Sequence, residues 1–178
     1  GTSAATALAT RAGHLVFDAL MDQSDNAMLV DTPSKYLPLI VKALLVHGSA
    51  WGDGASVIES LSAGKHHARK DNVSRYIGHG ALDPTRIIAC TAERATLIGY
   101  GEIAPNSASL CRIPLPPSLE GILEPRAVTV TLAWFSPINP RHQGYRMVAL
   151  EAKPGGDKGL SLRVERAKAQ PHDKAIDR

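Results

Sequence analysis

The chain has 178 residues and 44% hydrophobic content, enough to bury a core in one domain or two small ones. Its net charge of +3 is too small to indicate a nucleic-acid partner, and the basic residues near the C-terminus are interleaved with acidic ones. No apolar run approaches the roughly 20 residues that a membrane span requires. The sequence therefore predicts neither a nucleic-acid partner nor a membrane partner.

The first predicted element is a helix that begins beside a serine. The chain opens Gly1-Thr2-Ser3-Ala4-Ala5, and apolar residues then recur at helical spacing for roughly four turns. A helix N-terminus leaves N–H groups unpaired and carries partial positive charge, so a serine there lies beside donors that can stabilise an oxyanion. Ser3 is therefore a candidate nucleophile. The simpler alternative is that Thr2 or Ser3 caps the helix.

Two further segments follow this helix in the first half of the chain. A second amphipathic helix is predicted around residues 40–46, where Pro38 fits its first turn and the glycines of residues 48–54 end it. Residues 76–83 read Tyr-Ile-Gly-His-Gly-Ala-Leu-Asp, and a short helix is predicted after them, through residue 89.

In this order the segments resemble the C-terminal part of the catalytic domain of the subtilisin-like serine proteases. Residues 1–5 resemble the nucleophile motif, residues 40–46 the helix beside the serine helix, and residues 76–83 the family's Gly-x-Gly-x-Val-Asp run. One departure is Ala7, where the family commonly has proline. The resemblance implies a serine-type endopeptidase that forms an acyl-enzyme at Ser3, acts on a peptide or protein substrate and uses no cofactor.

The same resemblance implies roles for the residues around the nucleophile. The Ser3 backbone N–H would donate to the oxyanion, while Gly1 and Thr2 would shape the approach of the substrate. The family's triad follows the chain order Asp, His, Ser, so its other two members and the oxyanion asparagine are expected upstream of this chain. We therefore expect a fragment that is inactive alone, with the upstream half of its parent chain as a partner. The sequence does not indicate a compartment.

The histidines and cysteines of the chain offer no substitute for the missing groups. His14 lies eleven residues after Ser3 on the same predicted helix, about 16 Å away, too far for direct proton transfer. No paired spacing predicts a metal site or a disulfide framework. The remaining histidines are predicted to be surface or helix-end residues: His47, His66, His67, His79, His142 and His172.

After residue 93 the pattern changes to strand-like alternation, as in the β-domain that many subtilases carry after the catalytic domain. Strands are predicted over residues 95–100, 109–113, 127–134, 144–152 and 160–164. The predicted fold class is α+β: residues 1–92 as the helical C-terminal part of a subtilase α/β catalytic domain, 93–170 as a small antiparallel β-sandwich and 171–178 as a polar tail.

Two alternatives to the protease hypothesis remain open from the sequence. The first is a non-enzymatic β-sandwich interaction module whose helical half is an adaptor. The second is an unrelated serine hydrolase, although Ala5 stands where a Gly-x-Ser-x-Gly motif needs its last glycine.

Overall fold

The computed structural model describes residues 1–22, 31–89, 91, 94–113 and 128–152. These form an α-rich fold with one small antiparallel sheet. In chain order the elements are α1 (Thr2–Met21), a 3₁₀ helix (Ser34–Tyr36), α2 (Leu37–His47), β1 (Ser49–Ala50), α3 (Gly54–Leu61), α4 (His66–Ile77), β2 (Ala81–Leu82) and α5 (Thr85–Ile88).

The chain divides into two compact units, each built from two stretches of sequence. The first unit comprises Gly1–Gly48 and Asp83–Ala133, and the second comprises Ser49–Leu82 and Trp134–Arg178. The boundary predicted at residues 92 and 93 stays a prediction, because both residues lie outside the described part of the chain.

In the first unit, α1 packs against α2 through one face. The buried side chains of α1 are Ala12, Val16 and Leu20, which are four residues apart and therefore share one face. Gly13 faces α2, since a Cβ built there would lie in ordinary van der Waals contact with Leu45 Cδ1, at 3.6 Å. This face confirms the helical spacing predicted from the sequence, and the structure also places Pro38 in the first turn of α2.

The second unit contains α3, α4 and the two-stranded sheet. Helices α3 and α4 pack together, and β1 pairs with β2 in the register Ser49↔Leu82 and Ala50↔Ala81. The Trp51 indole donates to the Gly78 carbonyl at 2.8 Å, which holds the end of α4 beside β1. Gly80 has φ +93°, and a Cβ there would collide with the Ala50 backbone, so only glycine fits this position.

The β-sandwich predicted over residues 93–170 is wrong. The described part of that range contains no strand, only isolated bridges that include Ile138↔Arg146. The fold is therefore a small α-rich one, and the adaptor alternative loses the sandwich on which it depended. The strand predicted over residues 160–164 and the polar tail lie outside the described residues.

The strand-like pattern failed because alternation alone supplies no partner. Val128 and Val130 are 58% and 57% exposed, so no second layer covers the face that was predicted to be buried. The β propensity of such residues reports their packing against neighbours more than a backbone preference.

Within the first unit, one polar contact holds the non-helical stretch around Glu102 to the 3₁₀ helix. The Glu102 carboxylate accepts from Lys35 Nζ at 2.6 Å and from the Tyr36 hydroxyl at 3.0 Å. These hydrogen bonds, with the nearby Lys35 charge, lower the pKa of Glu102. The Tyr36 and Tyr100 rings lie 5.0 Å apart beside it, so the contact joins the 3₁₀ helix to the stretch around Glu102.

We predict that the substitution Gly48→Ala destabilises the fold. A Cβ at Gly48 would lie 2.6 Å from Ile87 Cδ1 and 2.9 Å from the Asp83 carbonyl oxygen. Overpacking of this kind costs about 1–3 kcal/mol of unfolding free energy, measured by urea denaturation. Gly52→Ala is the matched control, because a Cβ there meets nothing within 4 Å. Equal urea midpoints for the two variants would contradict the close approach at Gly48.

Candidate active site

Ser3 lies in the first turn of α1, and Gly1 occupies the N-cap position. No side-chain hydrogen bond caps the helix, so Ser3 is not its cap. The first backbone bond runs from the Ala5 N–H to the Gly1 carbonyl at 3.2 Å. The amides of Thr2, Ser3 and Ala4 therefore precede the first intrahelical bond and point out of the helix end.

The electrostatic surroundings of Ser3 favour negative charge. The first turn of α1 holds no acidic residue, so no carboxylate of that turn competes for the partial positive charge of the helix end. Residues 1–11 are all exposed. The serine hydroxyl and the amides beside it are therefore accessible to a substrate carbonyl.

The structure does not place His14 beside Ser3. Its Nε2 lies 3.4 Å from the Asp18 carboxylate, and both side chains are mostly exposed. Thr6 and Thr10 continue the same exposed stripe along α1, and their hydroxyls donate to the carbonyls one turn earlier at 2.9 Å. These residues form an exposed polar stripe on the surface of the helix.

The His47 side chain makes a partly buried contact with another side chain. His47 ends α2, as predicted, and its Nδ1 lies 3.1 Å from the Thr131 hydroxyl. Burial lowers the pKa of His47, and the positive charges of Arg86 and Arg94 lower it further. A hydroxyl beside a histidine is the arrangement of an activated nucleophile. Here, however, the charged groups that act on His47 within the described residues are cations, which weaken it as a base.

Sequence reasoning missed the His47–Thr131 contact because its partners are 84 residues apart. No local spacing signals such a pair. The other histidines give no site: His142 lies exposed in a turn, and His79 is exposed after α4. The side chains of His66 and His67 and all of His172 lie outside the described part of the structure.

The second unit holds an apolar cavity of about 400 Å³. None of its lining residues has a titratable side chain, so it supplies no acid, base or nucleophile. The lining residues are Gly52, Gly54, Ala55, Ile58, Ile77, Gly80 and Ala81.

Comparison with known proteins gives no relative for this chain. No family model, curated protein or solved structure matches it. Among the described helices, none combines the length and the apolar character of a membrane span. In the same part of the chain, no three His, Cys, Asp or Glu side chains are grouped to hold a metal ion.

We predict that His47 makes the fold less stable in mild acid. Its folded pKa is lowered from the ordinary 6.5, so below pH 6.5 the unfolded chain takes up the proton first. The unfolding free energy is therefore highest above pH 6.5 and decreases as the pH falls toward the folded pKa. His47→Gln should reduce the difference between urea midpoints at pH 7.5 and 5.5, whereas the control His142→Gln, at an exposed turn position, should reduce it less. A pH dependence that is identical in both variants would contradict this role.

Proposed function

We propose that this chain carries the nucleophile of a subtilisin-like serine endopeptidase. The single observation that supports this most is the position of Ser3 in the first turn of α1, beside amides that precede the first intrahelical bond. The order of α1, α2 and the glycine-containing run that leads into β2 is consistent with the resemblance. A peptide substrate, and a histidine and an aspartate that complete the catalytic triad, are parts of the same proposal.

In the proposed reaction, the Ser3 hydroxyl oxygen attacks the carbonyl carbon of the scissile peptide bond, and a histidine takes its proton. The negative charge that forms on the carbonyl oxygen is held by the Ser3 N–H, with the helix end adding to its stabilisation. The tetrahedral intermediate then breaks its C–N bond, and the histidine returns the proton to the leaving amine. Water hydrolyses the acyl-enzyme by the same steps and restores Ser3.

The histidine and the aspartate that orients it are proposed to come from an upstream segment of the parent chain. His14 lies several helical turns away from Ser3 along α1, and it contacts the Asp18 carboxylate. His47 faces Thr131 and two arginines. Neither is therefore suited to serve Ser3, and the proposal requires a partner segment that completes the site.

The segment that completes the site is also proposed to cover the exposed part of α1. The buried residues of α1 all lie in the C-terminal half of that helix, while Leu8 in its N-terminal half is 65% exposed. Beside the polar stripe of Thr6 and Thr10, the first turns are rich in alanine, so much of their exposed surface is apolar. A covering segment would exclude water from Ser3 and bring the missing groups to it.

We predict that the chain alone does not hydrolyse casein and that a fluorophosphonate probe does not label Ser3 rapidly, because a serine without its general base is a weak nucleophile. Co-expression with the proposed upstream segment should produce casein hydrolysis. Ser3→Ala should then lower kcat on the order of a million-fold, while Ser60→Ala, an exposed serine of α3, should not. Rapid labelling and turnover by the chain alone would contradict the need for a partner segment.

We also predict that the chain alone binds a hydrophobic dye or self-associates, because the uncovered N-terminal half of α1 exposes apolar surface. Contiguous apolar surface is rare on stable monomers. Leu8→Glu should reduce dye fluorescence more than the control Leu110→Glu, which removes another exposed leucine outside α1. Dye fluorescence and sedimentation measure the two effects. A dye-silent monomer would argue against a covering segment.

A further inference from the structure

The outer face of α1 carries a pair of side chains that can bind a metal ion. His14 Nε2 lies 3.4 Å from Asp18 Oδ2, one helical turn along, and the two side chains are 75% and 53% exposed. The buried side chains of α1 are Ala12, Val16 and Leu20. At 3.6 residues per turn, His14 and Asp18 lie on the opposite side of the helix. The pair is therefore accessible from solvent.

The spacing of the two side-chain atoms suits a zinc ion. Zinc binds imidazole nitrogen and carboxylate oxygen, and structural zinc sites are usually tetrahedral with four ligands. Zn–N and Zn–O bonds of about 2.0–2.2 Å at the tetrahedral angle hold two ligand atoms about 3.3–3.5 Å apart. The 3.4 Å between His14 Nε2 and Asp18 Oδ2 falls within this range. One copy of α1 therefore supplies two zinc ligands that are already at the required separation.

A second copy of the chain would complete the zinc site. In the described residues, no three His, Cys, Asp or Glu side chains are grouped to hold a metal ion, so the pair on α1 is half of a four-ligand site. A two-fold symmetric dimer places the same surface of each copy face to face. Two His14–Asp18 pairs then give four ligands, and their two carboxylates balance the charge of the zinc ion.

The charges on either side of the pair are complementary in an antiparallel dimer. Arg11 and Asp22 are exposed on the same face, and in the described part of the chain neither side chain has an ion-pair partner. If two copies of α1 cross antiparallel with Val16 at the centre, His14 of one copy lies opposite Asp18 of the other. Arg11 then lies within about 1.5 Å, one residue's rise, of the level of Asp22 on the other copy. Two ion pairs would therefore flank the zinc ion.

Large apolar side chains border this face on both sides. Leu15 lies along one edge and Met21 along the other, and each is 44% exposed. An antiparallel dimer would cover both side chains, which face water in the single chain. Exposed apolar surface with a polar surround is typical of protein–protein interfaces.

We propose that the outer face of α1 is a homodimer interface closed by a zinc ion, which His14 and Asp18 of both copies coordinate. Arg11 and Asp22 set the antiparallel orientation through their charges, and the apolar edges of the face add burial. The inference goes beyond the proposed function, because no part of it depends on Ser3.

The test follows the mass of the full chain by sedimentation velocity during a zinc titration. We expect a dimer with one zinc ion for every two chains, which EDTA reverses, whereas self-association through Leu8 would persist in EDTA. Magnesium should not replace zinc, because it prefers oxygen ligands. His14→Ala should raise the zinc concentration for half-maximal dimerisation at least about tenfold, since even groups that only orient a ligand contribute that much. The control His142→Ala, which removes another exposed histidine, should not.

Charge reversal tests the antiparallel arrangement. Asp22→Arg places like charges opposite each other and should weaken zinc-dependent dimerisation. Adding Arg11→Asp to that variant should restore it, because the two charges are then exchanged rather than matched in sign.

Four results would overturn the zinc-closed dimer. One is the absence of zinc-dependent dimerisation up to roughly millimolar zinc, where any interaction is weaker than about 4 kcal/mol. Another is equal dimerisation by His14→Ala, with its fold verified by circular dichroism. The third is binding of one zinc ion per chain without dimerisation, which would indicate a metal site without an interface. The last is undiminished dimerisation by Asp22→Arg, which would exclude the antiparallel arrangement.

Discussion

The first unit depends on the contact between α1 and α2. That contact uses only one face of α1, with Val16 as its most buried side chain at 1% exposure. Full burial of a valine or leucine side chain contributes about 1.5–3 kcal/mol to the unfolding free energy. A face with only three buried residues, one of them alanine, therefore leaves a small margin of unfolding free energy. Gly48 matters for the same reason, because it permits a close approach to Ile87 that a side chain would prevent.

Three of the five α-helices in the described residues, α1, α2 and α5, were predicted from the sequence because their signals are local, whereas α3 and α4 were missed. The spacing of apolar residues in α1, the position of Pro38 in α2 and the short helix after residue 83 all appear in the structure. The placement of Ser3 at the start of α1 follows from the same local pattern. Whether that serine acts as a nucleophile depends on groups that local patterns do not position.

The tertiary contacts could not be predicted because they join residues that are distant in sequence. Lys35 and Glu102 are 67 residues apart in sequence, and His47 and Thr131 are 84 apart. Strand-like alternation after residue 93 was misleading for a related reason, since a strand needs a partner with free donors and acceptors. In the described residues, only β1 and β2 are paired as strands, and each is two residues long.

The uneven packing of α1 has a consequence for how well its N-terminal end is ordered. Residues 2–11 are all exposed, and a helical stretch of that length is marginal in water when local bonds alone maintain it. Helix–coil exchange occurs within about a microsecond. The backbone N–H donors beside Ser3 are therefore only as well ordered as this exposed segment of α1. Any partner that packs against it would improve the geometry of the oxyanion site without contacting the site itself.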